Sequence, residues 1–356
     1  MKPPRAWIGA IAGGAALLVI PLVANSFWLD QIVTQALCLS LVAGSLSFLI
    51  RFGGQVSLAQ VAIVGAASYA LAYLGPNSSG LGPHWSLAAA IPAALLAAVL
   101  VATLIGMLAA RTRGIYCLMI TLAIGVTFFY LARQNYSIFG GFRGIAGIRR
   151  PEIAGLSLAG SVPFYALCAT VAVLAYGAIR QLGRTPLGVA LTALATNPDR
   201  VEAAGYDIRY LRILAFALSG VMAGSAGILL AWFHGRISPG AVDVSSIIQI
   251  LVIAVLGGMG SLPGALLGAV LYLLLENFAI DLIGAERFNS LIGGVFLVVM
   301  VASPDGLLGL SKRSALLRNA LPLGPAGKSP SSDRSPSQPG AAATASSANQ
   351  GSEIAG

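Results

Sequence analysis

Ten predominantly apolar runs divide this chain, at about residues 7–24, 29–50, 56–75, 87–110, 114–132, 162–181, 211–233, 245–260, 263–281 and 288–303. Most come near the roughly 20 residues that carry a helix across the hydrocarbon layer of a bilayer. Lipid offers no partner to an exposed backbone N–H or C=O, so runs of this kind predict helices that satisfy their own backbone. Two runs are short, and a re-entrant path for one of them lowers the count. The expected fold is an all-α polytopic integral membrane protein of about 8–10 transmembrane helices, with a helical loop exposed at one face. Residues 1–28 hold an N-terminal segment with the first transmembrane helix, and 29–310 form the membrane body. Residues 311–356 are rich in Ser, Pro, Ala and Gly without apolar periodicity. That composition predicts a disordered tail.

A polar interruption runs from Arg184 to Arg212 and reads as two short helices. Thr185 with Pro186, and then Asn197 with Pro198, each place a capping side chain before a proline at the first helical position. Asp199 falls in a first turn, where the helix dipole favours negative charge. Arg200, Glu202, Ala203 and Ala204 continue the second helix, and Gly205 supplies a left-handed stop. Such a capped, small-residue helix suits docking into another protein's groove, and equally suits a plain connector between spans.

Three features break the apolar pattern inside the spans. At 51–60, Gly53-Gly54 and the polar side chains of Gln55, Ser57 and Gln60 interrupt what would otherwise be helix. Irregular backbone at membrane depth survives where protein or a water-filled cavity covers it, as along transport pathways. A cytoplasmic turn after Arg51 is the other reading. Thr121 is a hydroxyl in an apolar run, placed to bond its own helix four residues back or to face a solute. Lastly, Gly220 with Gly224, Ala223 with Gly227, and Gly260, Gly264 and Gly268 put small residues on helix faces, which lets backbones approach closely in lipid.

Only 9% of residues are charged and 57% are hydrophobic, against about 25% charged in an ordinary soluble domain. The net charge of +9 is not gathered on one face, so it does not point to nucleic acid. With the N-terminus inside, fifteen of the 21 Lys and Arg residues fall in the cytoplasm and six outside, four of those six between 133 and 161. This bias predicts cytoplasmic N- and C-termini and a cytoplasmic 184–212 loop. Cys38, Cys117 and Cys168 lie within apolar runs, and His84 and His234 stand alone in loops, so neither disulfide nor metal spacing is present. The run at 7–24 is longer than a signal-peptide core and is read as a retained span. The acidic residues fall almost entirely in loops and tail, with Glu276 towards the end of its run. Ion-coupled carriers place carboxylates or histidines within spans. No nucleophile, metal or paired-carboxylate constellation indicates an enzyme.

Taken in order, Gly54-Gln-Val-Ser-Leu58, Arg113-Gly-Ile-Tyr116 through Thr121-Leu-Ala123, Gly140-Gly141 with Gly144-Ile145, Glu202-Ala-Ala-Gly205, and Gly257-Gly-Met-Gly260 through Pro263-Gly264 to Gly268-Ala269 resemble the longer permease type of branched-chain amino acid ABC transporters. The likeness runs from about 30 to 308. Relatives commonly have Thr and an acidic residue where this chain has Phe139 and Arg143, and Gly and Phe where it has Ala59 and Ile63. They also carry a glutamate before the loop helix, where this chain has Asn197-Pro198. The resemblance implies a bacterial inner-membrane importer subunit. Its partners would be a second homologous permease, two cytoplasmic ATPase subunits that bind the ATP, and an extracytoplasmic solute-binding protein. The loop at about 182–210 would couple to the ATPases through Asn197, Pro198, Asp199, Arg200, Glu202, Ala203, Ala204 and Gly205. Gln55, Ser57, Gln60 and Thr121 are the candidate pathway residues, and no cofactor is expected on this chain. Urea and short-amide importers share the permease type and remain the alternative, with an ion-coupled secondary carrier behind them.

Overall fold

A computed structural model describes residues 28–112, 114–153, 156–157 and 160–283, together with positions 293, 294 and 297. The runs expected at 7–24 and 288–303 and the tail from 311 lie outside, or almost outside, the described residues.

The first described helix, α1, spans Trp28–Gly53 and is π-helical at both ends. At its start the wide turns let Thr34 donate from Oγ1 to the Leu29 carbonyl five residues back, at 2.7 Å. Gly54 ends the helix in the left-handed region at φ +63°, a conformation glycine adopts without a β-carbon penalty. After a non-helical stretch, α2 spans Gln60–Leu74. It is followed by α3 (Leu87–Ala109), α4 (Ile115–Gln134) and α5 (Ser161–Leu182). Two short helices then follow, α6 (Pro186–Thr196) and α7 (Pro198–Ala203), before the 27-residue α8 (Ile208–His234). Last come α9 (Val244–Gly257) and α10 (Leu262–Ile283). The described residues also hold a single helical turn at Tyr136–Phe139, 3-10 turns at Gly141–Arg143 and Pro239–Val242, and four two-residue strands, β1 (Ile145–Ala146), β2 (Glu152–Ile153), β3 (Leu156–Ser157) and β4 (Arg236–Ile237). Strand β1 pairs antiparallel with β4, and β2 with β3.

Helix α8 is central and packs along α3, α2 and α1. Small residues make this possible. Ala90, Ala94, Ala98 and Ala102 form a fully buried stripe at four-residue spacing on α3. Opposite it, a β-carbon on Gly224 would lie 2.6 Å from that of Ala98, and one on Gly220 would collide with Ala102. One helical turn further, a β-carbon on Gly227 would meet the Val64 carbonyl of α2. Close backbone approach of this kind replaces the apolar driving force that lipid does not provide.

Five described helices are long and apolar enough to cross a membrane, or six with α9 and α10 taken as one bent span. These two helices meet at 117° across Gly258–Ser261, so the runs at 245–260 and 263–281 are arms of one bent pair. Gly257 and Gly264 pack backbone to backbone at the bend, and a side chain on either would strike the other. The run at 56–75 also gives less helix than its hydropathy suggests. Its helical part is 15 residues, about 22 Å at 1.5 Å per residue, because the segment before Gln60 leaves the helix at Gly54.

Candidate functional site

The loop between α5 and α8 folds as its capping residues dictate. Thr185 accepts from Gly188 N at 3.2 Å, and Asn197 Oδ1 accepts from Arg200 N at 3.3 Å, each ahead of a proline at the helix start. Gly205 closes α7 at φ +86°. Leu191 and Leu194 bury one face of α6. On α7 only Val201 is buried, while Asp199, Arg200, Glu202 and Ala203, with Ala204 and Gly205 after them, are exposed and Pro198 is half-buried. The helix is thus pinned at one residue and presents the remainder outward.

The loop also rests on the break in α1. Helix α6 packs against Leu49–Gly53, and a β-carbon on Gly54 would come 2.8 Å from Ala195 Cα. From this contact the segment 55–59 is tied to two further helices. Gln55 Nε2 donates to the Thr112 carbonyl at 3.1 Å, beyond the end of α3, and Leu58 N donates to Thr121 Oγ1 on α4 at 3.1 Å. Thr121 in turn donates to the Cys117 carbonyl at 2.8 Å, and Ser57 Oγ accepts from Ala59 N at 3.3 Å. Next along the chain, Gln60 enters a buried knot between three helices. Ser45 Oγ of α1 shares its proton between the Val42 carbonyl at 2.6 Å and Gln60 Oε1 at 3.1 Å, and Gln60 Nε2 donates to Ser219 Oγ of α8 at 3.0 Å. Ser219 then donates to the Ser45 carbonyl at 3.2 Å. Gln55, Ser57, Gln60 and Thr121 are therefore brought into one region, all of them buried and bonded to protein groups.

The open space lies elsewhere on the same helices. A cavity of about 310 Å³ is enclosed by α1, α2, the C-terminal end of α8, β4 and the first turns of α9. Val42, Val61, Val64, Leu230 and Ile250 line it with branched aliphatic groups. Gln35, Ser68, Ser238, Ser246 and Gln249 add amides and hydroxyls. His234 and Arg236 border it while also being exposed, which marks the open side. None of the four sequence-derived pathway residues is among its lining. Yet the buried knot continues the same helix faces. Gln60 lies four residues before Val64 and eight before Ser68 on α2, and Ser45 three residues after Val42 on α1. Ser219 lies eleven residues, three helical turns, before Leu230 on α8. Eight residues span about 12 Å, so the knot sits roughly that far below the Ser68 level. Sequence reading missed the lining hydroxyls and amides. Their signal was faint: Ser246 and Gln249 at i, i+3, and Ser68 two turns beyond Gln60, each within an apolar run.

Among the described residues no cluster of His, Cys, Asp and Glu has the makings of a metal site. Glu276, half-buried on α10, is not a cavity residue.

A family model described as the permease component of a branched-chain amino acid transport system matches residues 28–302. The chain belongs to that family. The family is one of transporter permeases, and the helical membrane fold agrees with it. The chain is 28% identical over 257 residues to the high-affinity branched-chain amino acid transport system permease protein LivM of Escherichia coli (strain K12). That match covers 66% of this chain and 60% of the relative, so the chain spans less than two thirds of that protein's length. To LivM of Salmonella typhimurium it is 27% identical over 331 residues, covering 85% of this chain and 76% of the relative. To the permease protein BraD of Pseudomonas aeruginosa it is 31% identical over 134 residues, covering 38% and 43%. No solved structure matches the chain.

Proposed function

We propose that this permease-family chain is one transmembrane subunit of an ATP-driven importer of branched-chain amino acids. It acts with a second homologous permease, two cytoplasmic ATPase subunits that bind the ATP, and an extracytoplasmic binding protein. Both termini and the α6–α7 loop face the cytoplasm, and the cavity faces the opposite side. The 27 residues of α8 separate the two by about 40 Å, more than the roughly 30 Å hydrocarbon layer.

The observation that carries this reading is the continuous packing from α7 to the buried knot. Closure of the ATPase pair would push α7, and α6 would pass the push to the Gly53–Gly54 break through Ala195. Segment 55–59 then moves against α3 and α4, and Gln60 is drawn on Ser45 and Ser219. Intramembrane hydrogen bonds of this type contribute about 0.6 kcal/mol each, so the three together hold the knot by roughly 2 kcal/mol. A bias of that size favours the closed arrangement of the knot by roughly 30-fold at rest and yields readily to a motor. Alternating access is thereby a two-state rearrangement about a physical chain of contacts.

The test is uptake of a labelled panel of leucine, isoleucine, valine, urea and acetamide into vesicles holding the full complex. ATP-dependent accumulation of the three amino acids is expected. Accumulation of urea or acetamide in their place would transfer the chain to the short-amide importers.

A further inference from the structure

We infer that the cavity at the open end of α8 is itself a solute site, and that it selects a small branched aliphatic molecule bearing a carboxylate. This rests on the import reading above and adds to it where the solute sits and which of its groups is recognised. A volume of about 310 Å³ lies at the low end of the roughly 300–1,000 Å³ of small-molecule sites. It suits a single amino acid and is too small for a peptide. The walls at Val42, Val61, Val64 and Ile250 offer branched apolar surface to a branched side chain.

The polar lining fixes the charge preference. Arg236 is the one permanently charged side chain among the described lining residues, and no carboxylate is among them. Ser246 lies in the first turn of the 14-residue α9, whose positive end is already capped by Asp243, the carboxylate accepting from Ser246 N at 2.8 Å, so the Ser246 hydroxyl counts as a neutral group. The preference for an anionic group on the solute therefore rests on Arg236. The neutral oxygens of Ser238, Gln35 and Gln249 are left to accept from its ammonium. Urea and short amides have neither a charge for Arg236 nor a branched body for the walls, so they gain little here. The site is then the last station before the knot at Gln60.

The test uses the full complex in proteoliposomes with Ser246→Cys, labelled by a neutral maleimide. Native Cys38, Cys117 and Cys168 are buried and give a low background. Leucine is expected to slow labelling several-fold, and urea and acetamide to leave it unchanged. Arg236→Gln should abolish most of that protection. A second variant, Ala241→Trp at the exposed rim, should reduce leucine uptake several-fold while the ATPase subunits still co-purify. Labelling indifferent to leucine, or equal protection by urea, overturns the site. If the unsubstituted complex takes up leucine with ATP and labelling is still indifferent, the cavity proposal alone has failed. If that complex takes up no leucine at all, the import reading has failed instead.

Discussion

At Gly224 there is no room for a side chain: a β-carbon would stand 2.6 Å from that of Ala98. Substituting valine must push α8 from α3, and overpacking of this kind costs about 1–3 kcal/mol. Gly177 on α5 is the contrast, since a β-carbon there meets nothing within 4 Å. Gly177→Ala is expected to hold or raise stability by about 0.5–1 kcal/mol through reduced backbone freedom. Thermal unfolding in detergent checks both, and equal melting of Gly224→Val and the parent would contradict the tight packing. At this scale the sequence was informative where chemistry is local. The small-residue faces of α8, the two capped prolines and the αL glycine at 205 each follow from neighbours within a few positions. Thr121 bonds back to Cys117, as the first of its readings expects, and its oxygen also accepts from Leu58 N, while it is not among the cavity's lining residues. The lining hydroxyls were illegible because a serine in an apolar run looks alike whether it faces lipid, a helix or a cavity.

Among the elements, α7 matters most, because one buried residue anchors it while its charged face stays bare. Replacing Glu202 with tryptophan alters that face without touching the spans. Gly205→Val meets no neighbour but forces a β-branched residue to φ +86°, a strain of the order of 1–3 kcal/mol confined to the loop. Both variants are expected to lose ATPase co-purification or uptake several-fold with the thermal unfolding of the membrane body unchanged. Normal uptake with the ATPases retained would remove the docking role. The elements were legible singly: the interruption at 51–60 and the loop at 184–212 each stood out in the hydropathy. Their union was not. The contact of Gly54 with Ala195 joins residues far apart in sequence, and no periodicity or capping rule encodes such a distant pairing. Helix lengths misled for a related reason. Hydropathy cannot see that Gly54 delays α2 to Gln60, or that Gly257 and Gly264 fold two runs into one bent pair.

For the whole molecule, a cavity at one end of α8 and the exposed helix α7 at the other suit the proposed gate worked by foreign motors. Among the described residues, no carboxylate lines the cavity. Glu276 is half-buried on α10 and is not among the lining residues, and His234 and Arg236 lie at the open rim. The most direct measurement is leucine accumulation in proteoliposomes that hold either this subunit alone or the complete complex with ATP inside. The account predicts accumulation against the gradient only with the ATPase subunits and ATP present. Uphill accumulation by the isolated subunit, driven by a proton or sodium gradient, would contradict it.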